Sequence, residues 1–192
     1  MKILTIMAGA LGLALASPAA SAPQQTAVLA GGCYWGVESV YEHVKGVSDV
    51  VSGYAGGNRS GLTRSQGEDP GFAEAVRIRF DPAQISYAQL LQIFFEVAHD
   101  PTQLNRQGPD IGPRYRSAIF PQNTEQRAIS QQFLAKLRPQ RIVTKIESGD
   151  FEAAAPEEQD FVSKHPRVPY VLINDVPKLA ELKRRYPQLW RD

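Results

Sequence analysis

The chain has 192 residues, 43% hydrophobic and 21% charged, a composition that fills one globular core without calling for a second. Its 21 basic and 20 acidic side chains leave a formal net charge of +1, which excludes the charge excess that marks a binder of nucleic acid or of anionic membranes. Partners are expected among small molecules and other proteins, and the chain is read as a monomer.

Met1-Lys2, an apolar run over 3–16 and small residues through Ala22 have the layout of a secretory leader, and the run is short for a bilayer span. Residues 1–22 are therefore read as a signal peptide and 23–192 as one domain, exported and periplasmic. Cleavage fits both Ala14-Leu15-Ala16 and Ala20-Ser21-Ala22, and an uncleaved anchor is the alternative. Beyond it, 27–30 is a short apolar run ended by Gly31-Gly32, a buried strand and a tight turn. Over 34–44, Val37, Val40, Tyr41 and Val44 recur at helical spacing, with Glu38, Glu42, His43 and Lys45 on the opposite, polar side. A second strand is expected over 47–54, closed by Gly56-Gly57, and a long surface loop over 58–71.

Residues 74–80 alternate, placing Glu74, Val76, Ile78 and Phe80 on one face and Ala75, Arg77 and Arg79 on the other. Ser86 and Gln89 form a capping box for a helix through Val97, and 99–116 is a loop rich in Pro, Gly, Asn and Asp. A short strand over 117–120, a helix capped by Asn123 and Gln126 and running to 137, and a strand over 142–146 follow. Past Phe151 come a short helix, a Pro-broken segment and a basic helix over 178–186. Strands interleaved with helices, some joined too tightly for parallel crossovers, predict an α+β or mixed α/β fold. The expected form is a two-layer sandwich with a mixed sheet, ferredoxin-like in character, with long loops.

Cys33 is the only cysteine, so no disulfide closes within the chain. An exported lone thiol is either buried and inert or reactive and serviced by a reductant. Cys33 lies where the turn ends and the helix begins, where unsatisfied N–H groups and the helix dipole lower a thiol pKa. The two glycines before it are expected to let another molecule approach the sulfur, and Tyr34 and Trp35 to wall a small apolar pocket beside it. The bland alternative is an unreactive cysteine with two packing aromatics.

Gly32-Cys33-Tyr34-Trp35-Gly36 closely resembles the Gly-Cys-Phe-Trp-Gly mark of the A-type peptide methionine sulfoxide reductases. The likeness continues through Gly53-Tyr54-Ala55-Gly56-Gly57, Ala73-Glu74-Ala75-Val76, His99-Asp100-Pro101, Arg106-Gln107-Gly108-x-Asp110-x-Gly112 and Tyr115-Arg116-Ser117. It covers roughly 27–146, in the family's order and similar spacing.

The resemblance implies one reductase domain that converts the S-epimer of methionine sulfoxide, free or in proteins, to methionine, with neither metal nor bound cofactor. Attack on a sulfoxide sulfur requires that the oxygen be protonated, so the site needs an acid more than a base. Glu74, at the start of an apolar face where desolvation keeps a carboxyl protonated, suits that role, and the family places its acid there. A strand-end carboxylate reaching solvent is the alternative. Tyr115 resembles the family's hydroxyl donor to the sulfoxide oxygen and Asp110 its loop carboxylate beside the sulfur, while Tyr34 and Trp35 would hold the substrate's methyl. The cycle then runs through a sulfenic acid on Cys33, which no second cysteine resolves. Recycling falls to an external thiol: thioredoxin-like, glutaredoxin-like or of low molecular weight.

Two departures stand out. The stretch 60–64 lacks the tyrosine that supplies the family's second hydroxyl donor, and the family's Phe-x-x-Ala-Glu-x-Tyr-His-Gln appears only as Phe151-x-x-Ala154-Ala155-x-Glu157-Glu158-Gln159. Competing readings are a cysteine hydrolase or transpeptidase pairing Cys33 with His99 or His165, and a non-enzymatic interaction module in which Cys33 only packs. No metal-ligand spacing is present, and Gly56-Gly57 lacks the lysine of a phosphate loop.

Overall fold

Strand β3 (Phe72–Phe80) organises the sheet, because its alternation buries Glu74, Val76, Ile78 and Phe80 on one face as the sequence predicts. A computed structural model describes residues 23–57, 71–137 and 141–192. The expected leader over 1–22 and nearly all of the expected loop over 58–71, with its stretch 60–64, lie outside the described residues. β3 pairs antiparallel on one side with β1 (Gln25–Gly31) and on the other with β2 (Val47–Gly56), Leu29 lying opposite Val76 and Tyr54 opposite Glu74. β6 (Ser117–Ile119) extends the β1 edge and carries the parallel β7 (Lys145–Ile146), while β8 (Phe151–Ala153) closes the β2 edge. The described sheet therefore runs β7-β6-β1-β3-β2-β8, mixed as expected.

On one face, Ala27, Leu29, Val76, Ile78 and Phe80 meet Val37, Val40 and Tyr41 of α1 (Tyr34–Glu42) and Leu90 and Leu91 of α2 (Tyr87–Ile93). Each fully buried Leu, Ile or Phe there contributes about 1.5–3 kcal/mol, so this helix-covered face is the main core. The other face is built of small residues, Ala30, Ala55, Ala73, Ala75 and Ala118 with Val28 and Phe120, and Phe151 packs on it. The family of predicted layers is thus right.

Several local expectations need correction. The Ser86–Gln89 capping box is present, but the α-helix stops at Ile93 and passes into a π-turn, Phe94–Ala98, whose wider winding turns Phe94, Phe95, Val97 and Ala98 all inward. The loop over 99–116 holds a small hairpin, β4 (Arg106–Gln107) with β5 (Asp110–Ile111), and a 3-10 turn, Pro113–Tyr115. Its stiffness is polar: Asp100 accepts from Thr102 N–H at 2.9 Å, Thr102 Oγ1 at 2.7 Å and Gln103 Nε2 at 2.9 Å, which hydrophobic periodicity does not register. β8 was not expected, being three residues long with both Glu152 and Ala153 exposed.

The helix α3 (Thr124–Leu137) precedes β7, and three short helices, α4 (Phe161–Lys164), α5 (Pro169–Asn174) and α6 (Val176–Arg185), end the chain. Leu182 of α6 is fully buried in the main core, and Arg191 donates to the Val47 carbonyl at 2.7 Å and to the Glu42 carbonyl, fastening the C-terminal end to the foot of α1.

This strapping overturns the solvent-facing reading of Glu38, which is only 1% exposed. Its carboxylate accepts from Ser52 N–H at 3.3 Å and Asp160 N–H at 3.1 Å, and burial pushes its pKa up to about 8. Between the ordinary carboxylate range and pH 8 the folded protein holds this proton and the unfolded chain releases it, so stability falls as pH rises through that window. Glu38→Ala is expected to cost about 1–3 kcal/mol in urea unfolding at pH 5 by orphaning the Asp160 N–H, with the gap to the parent narrowing at pH 8.

Candidate active site

Cys33 stands at the N-cap position of α1, with φ −53° and ψ 124° and no side-chain capping hydrogen bond. Gly32 holds φ +94°, a turn that a side chain strains, and a Cβ there would overlap the Gln107 side chain. The glycine thus admits the β4–β5 hairpin against the turn, rather than an incoming ligand as its sequence context suggests. Gly36 has a similar role: a Cβ would overlap the carboxylate of Asp175, which with Lys178 at 3.4 Å seats the C-terminal segment on α1.

Cys33 is 8% exposed, so little of its side chain meets solvent. The expectation of a lowered thiol pKa is reversed. Burial pushes the thiol well up, and the negative charge of Glu74 and then that of Asp175 add to it, outweighing the Trp35 N–H and a hydrogen bond with Tyr170. The helix dipole acts on a sulfur stripped of water, and desolvation wins.

Beside the cysteine, Tyr34 N–H donates to Glu74 Oε2 at 3.3 Å, which fastens the acid of β3 to the first residue after the nucleophile. Glu74 is 6% exposed, and burial pushes its pKa up to about 7, against the Tyr34 bond and the Arg114 guanidinium, whose Nε lies 4.0 Å from Oε1. Tyr115 ends the 3-10 turn beside this carboxyl; burial and the charges of Glu74 and Asp110 hold its hydroxyl protonated, with a pKa of about 12. Asp110, on the hairpin, accepts the hydroxyl of Tyr170.

The two aromatics after the cysteine part company. Tyr34 turns inward, its hydroxyl 3.3 Å from that of Tyr54, while Trp35 stays half-buried with its indole N–H donating to Glu158 at 2.9 Å. One face of Trp35 stacks on Phe161 at 3.7 Å, and Tyr170 meets it edge-on at 5.8 Å. Trp35 is therefore itself covered on one side, which leaves less of the expected apolar wall free.

All six residues singled out in the sequence, Cys33, Tyr34, Trp35, Glu74, Asp110 and Tyr115, come together here. Sequence reasoning missed Tyr170, Arg114, Glu158 and Phe161. Three of these lie in the C-terminal segment, and no local motif ties that segment to a cysteine more than 100 residues earlier.

The histidines do not join the site. His99 is buried with Nδ1 2.8 Å from the Phe94 carbonyl oxygen and Nε2 2.7 Å from Ser117 Oγ, and burial lowers its pKa to about 4. His165 packs against Phe161, and His43, expected on the solvent face, stacks on Trp190 at 4.7 Å. A cysteine–histidine pair is thus not formed. Gln159, at the end of the altered C-terminal motif, bonds both the N–H and the carbonyl of Ser52, at 2.8 and 3.0 Å.

A model of the peptide methionine sulfoxide reductase family matches residues 25–189. The chain belongs to that family. Among curated peptide methionine sulfoxide reductases, MsrA 2 of Mesorhizobium japonicum is 49% identical over 177 residues, covering 88% of this chain and 90% of its own. The Nitratiruptor MsrA is 45% identical over 170 residues, with coverages of 85% and 97%. Of solved peptide methionine sulfoxide reductase structures, that of Corynebacterium diphtheriae methionine sulfoxide reductase A superposes with a TM-score of 0.65 at 30% identity, covering 77% of this chain and 78% of that one. Reduced Mxr1 of Saccharomyces cerevisiae superposes with a TM-score of 0.64 at 31% identity, with coverages of 76% and 87%. The predicted family and the predicted α+β fold therefore both stand.

Proposed function

We propose that the chain reduces the S-epimer of methionine sulfoxide, free or in polypeptides, to methionine, with Cys33 as nucleophile and an external thiol restoring it. Family membership supports the reaction class. The observation that carries the assignment to these residues is the Tyr34 N–H bond to Glu74, which holds a carboxyl with a pKa near 7 next to the one cysteine.

The geometry divides the labour. Protonated Glu74 and the Tyr115 hydroxyl donate to the sulfoxide oxygen, making the sulfur electrophilic and stabilising the charge that develops on oxygen. Cys33 attacks the sulfoxide sulfur to form a transient S–S bond; the oxygen then passes to Sγ, so that an Sγ–O bond forms while the S–S and substrate S–O bonds break, and methionine leaves a Cys33 sulfenic acid. The sulfoxide sulfur gains two electrons and the cysteine sulfur loses two. No net proton is taken up, because the thiol's own proton balances the one on the sulfenic oxygen, so a resting protonated thiol suits the chemistry. An incoming thiol then condenses with the sulfenic acid to a mixed disulfide and water, and a second thiol releases Cys33. The free edge of Trp35 receives the substrate's methyl, with selectivity of about 1–3 kcal/mol per methylene.

The test is turnover of each methionine sulfoxide epimer with dithiothreitol as reductant. Conversion of the S-epimer with the R-epimer untouched is expected; equal conversion, or none, would sink the assignment.

A further inference from the structure

Glu157 and Glu158 stand where the family's C-terminal motif has Tyr-His. Glu157 is exposed, whereas Glu158 is half-buried and accepts the Trp35 indole N–H on Oε2 at 2.9 Å. Glu158 ends a 3-10 turn, Pro156–Glu158, and the two residues after it are fastened. Gln159 bonds both backbone groups of Ser52 on β2, and the Asp160 N–H donates to Glu38 of α1 at 3.1 Å. The acceptor is thus anchored from its own side, so the bond orients the indole rather than the carboxylate.

Stacking by itself does not fix that ring. Phe161, parallel to it within 7° at 3.7 Å, sets the plane of the indole, and Tyr170 meets it edge-on. The ring can still turn within its plane or flip about the bond that carries it. Its single N–H, held by a carboxylate, removes both freedoms. The bond also engages the only polar atom of the ring, so the edges left for a substrate's methyl are carbon alone. An indole N–H without an acceptor would instead recruit water or turn toward the pocket, and either change weakens an apolar contact there.

We propose that Glu158 is a positioning residue that sets the size selectivity of the site, by fixing the Trp35 edge against which the substrate's S-methyl group rests. This rests on the reductase reading above. With that edge fixed, a methyl group fits and an ethyl group carries one carbon too many. With it released, the ring yields to the larger group and holds the smaller one less well.

The experiment compares parent, Glu158→Ala and Glu158→Gln by kcat and KM for the S-epimers of methionine sulfoxide and of its S-ethyl homologue, ethionine sulfoxide, with dithiothreitol as reductant. The parent is expected to prefer the methyl compound by at least about tenfold in kcat/KM, the scale of one methylene in an apolar pocket. Glu158→Ala should bring that ratio to within about threefold of unity, chiefly through a higher KM for methionine sulfoxide, with kcat held within about twofold because Cys33 and Glu74 are untouched. Glu158→Gln keeps an oxygen for the indole N–H and should restore most of the preference. A merely structural role loosens the segment and slows both sulfoxides alike, leaving the ratio at the parent's value. That result overturns the proposal, as does a parent that does not discriminate, or a glutamine variant that behaves like the alanine one. If Glu158→Ala fails to fold, Glu158→Met, which fills similar space without an acceptor, decides by the same ratio. A parent that turns over neither compound overturns the reductase reading and this role with it, whereas an active, selective parent whose ratio no variant changes overturns the positioning role alone.

Discussion

Cys33→Ser is expected to abolish sulfoxide turnover completely while leaving the fold intact. The loss is total because the cysteine sulfur does two things that no serine oxygen does: it attacks sulfur as a soft nucleophile, and it gives up two electrons to become the sulfenic acid. Binding and oxygen polarisation by the remaining residues have no reaction to accelerate without an electron donor. The change removes little packing, since the two side chains are nearly isosteric and Cys33 makes no side-chain capping bond that serine would lose. Two measurements check it. With dithiothreitol, methionine formation by the variant should match the protein-free control. Without reductant, a single turnover should add one oxygen mass to Cys33 in the parent and none in the variant. Residual turnover within about tenfold of the parent would mean that another group carries the reaction.

Glu74→Gln is expected to lower kcat/KM by about 10²–10³-fold at pH 6, within the range that a positioned general acid supplies. Glutamine keeps an oxygen for the Tyr34 N–H, so the loss reads the proton and not the scaffold. The pH dependence carries the sign. Burial raises the Glu74 pKa to about 7, and the acid form is the active one. The parent's kcat/KM should therefore be level below pH 7 and fall about tenfold per pH unit above it. The thiol, held protonated well above this range, adds no limb near neutrality. In Glu74→Gln the descending limb should vanish, leaving a low and flat profile. A parent profile that instead rises through pH 7 would show that ionisation of a group, and not its protonation, limits the reaction.

The two predictions also divide what was legible. Glu74 could be placed on a buried face from the alternation of 74–80 alone, because a strand's period of two depends only on neighbouring residues. The capping box at Ser86 and the strand–turn–helix that presents Cys33 were legible for the same reason. Glu38 was misread, although its helical position was right. Its side of α1 is polar in sequence yet lies under the backbone of Asp160, and only the long-range return of the chain makes it an interior carboxylate.

The thiol shows the limit most sharply. A cysteine at a helix start following two glycines reads as an acidified nucleophile, because backbone N–H groups and the dipole are local consequences of the sequence. The structure reverses the shift through desolvation and the nearby charges of Glu74 and Asp175, neither of which is near Cys33 in the chain. Gly32 and Gly36 likewise read as access for a ligand or as helix punctuation, and turn out to admit Gln107 and Asp175.

Sequence alone determined the family, the strand–turn–helix that presents Cys33, the buried face that holds Glu74 and the alternating strands, because each is written in residues a few positions apart or in a motif whose order suffices. Tertiary structure decided the protonation of Cys33, the interior place of Glu38, the commitment of His99 to Phe94 and Ser117, and the bond of Tyr170 to Asp110. These depend on how much water is removed from a group and on which distant charges and hydroxyls then face it, and only a folded chain specifies either.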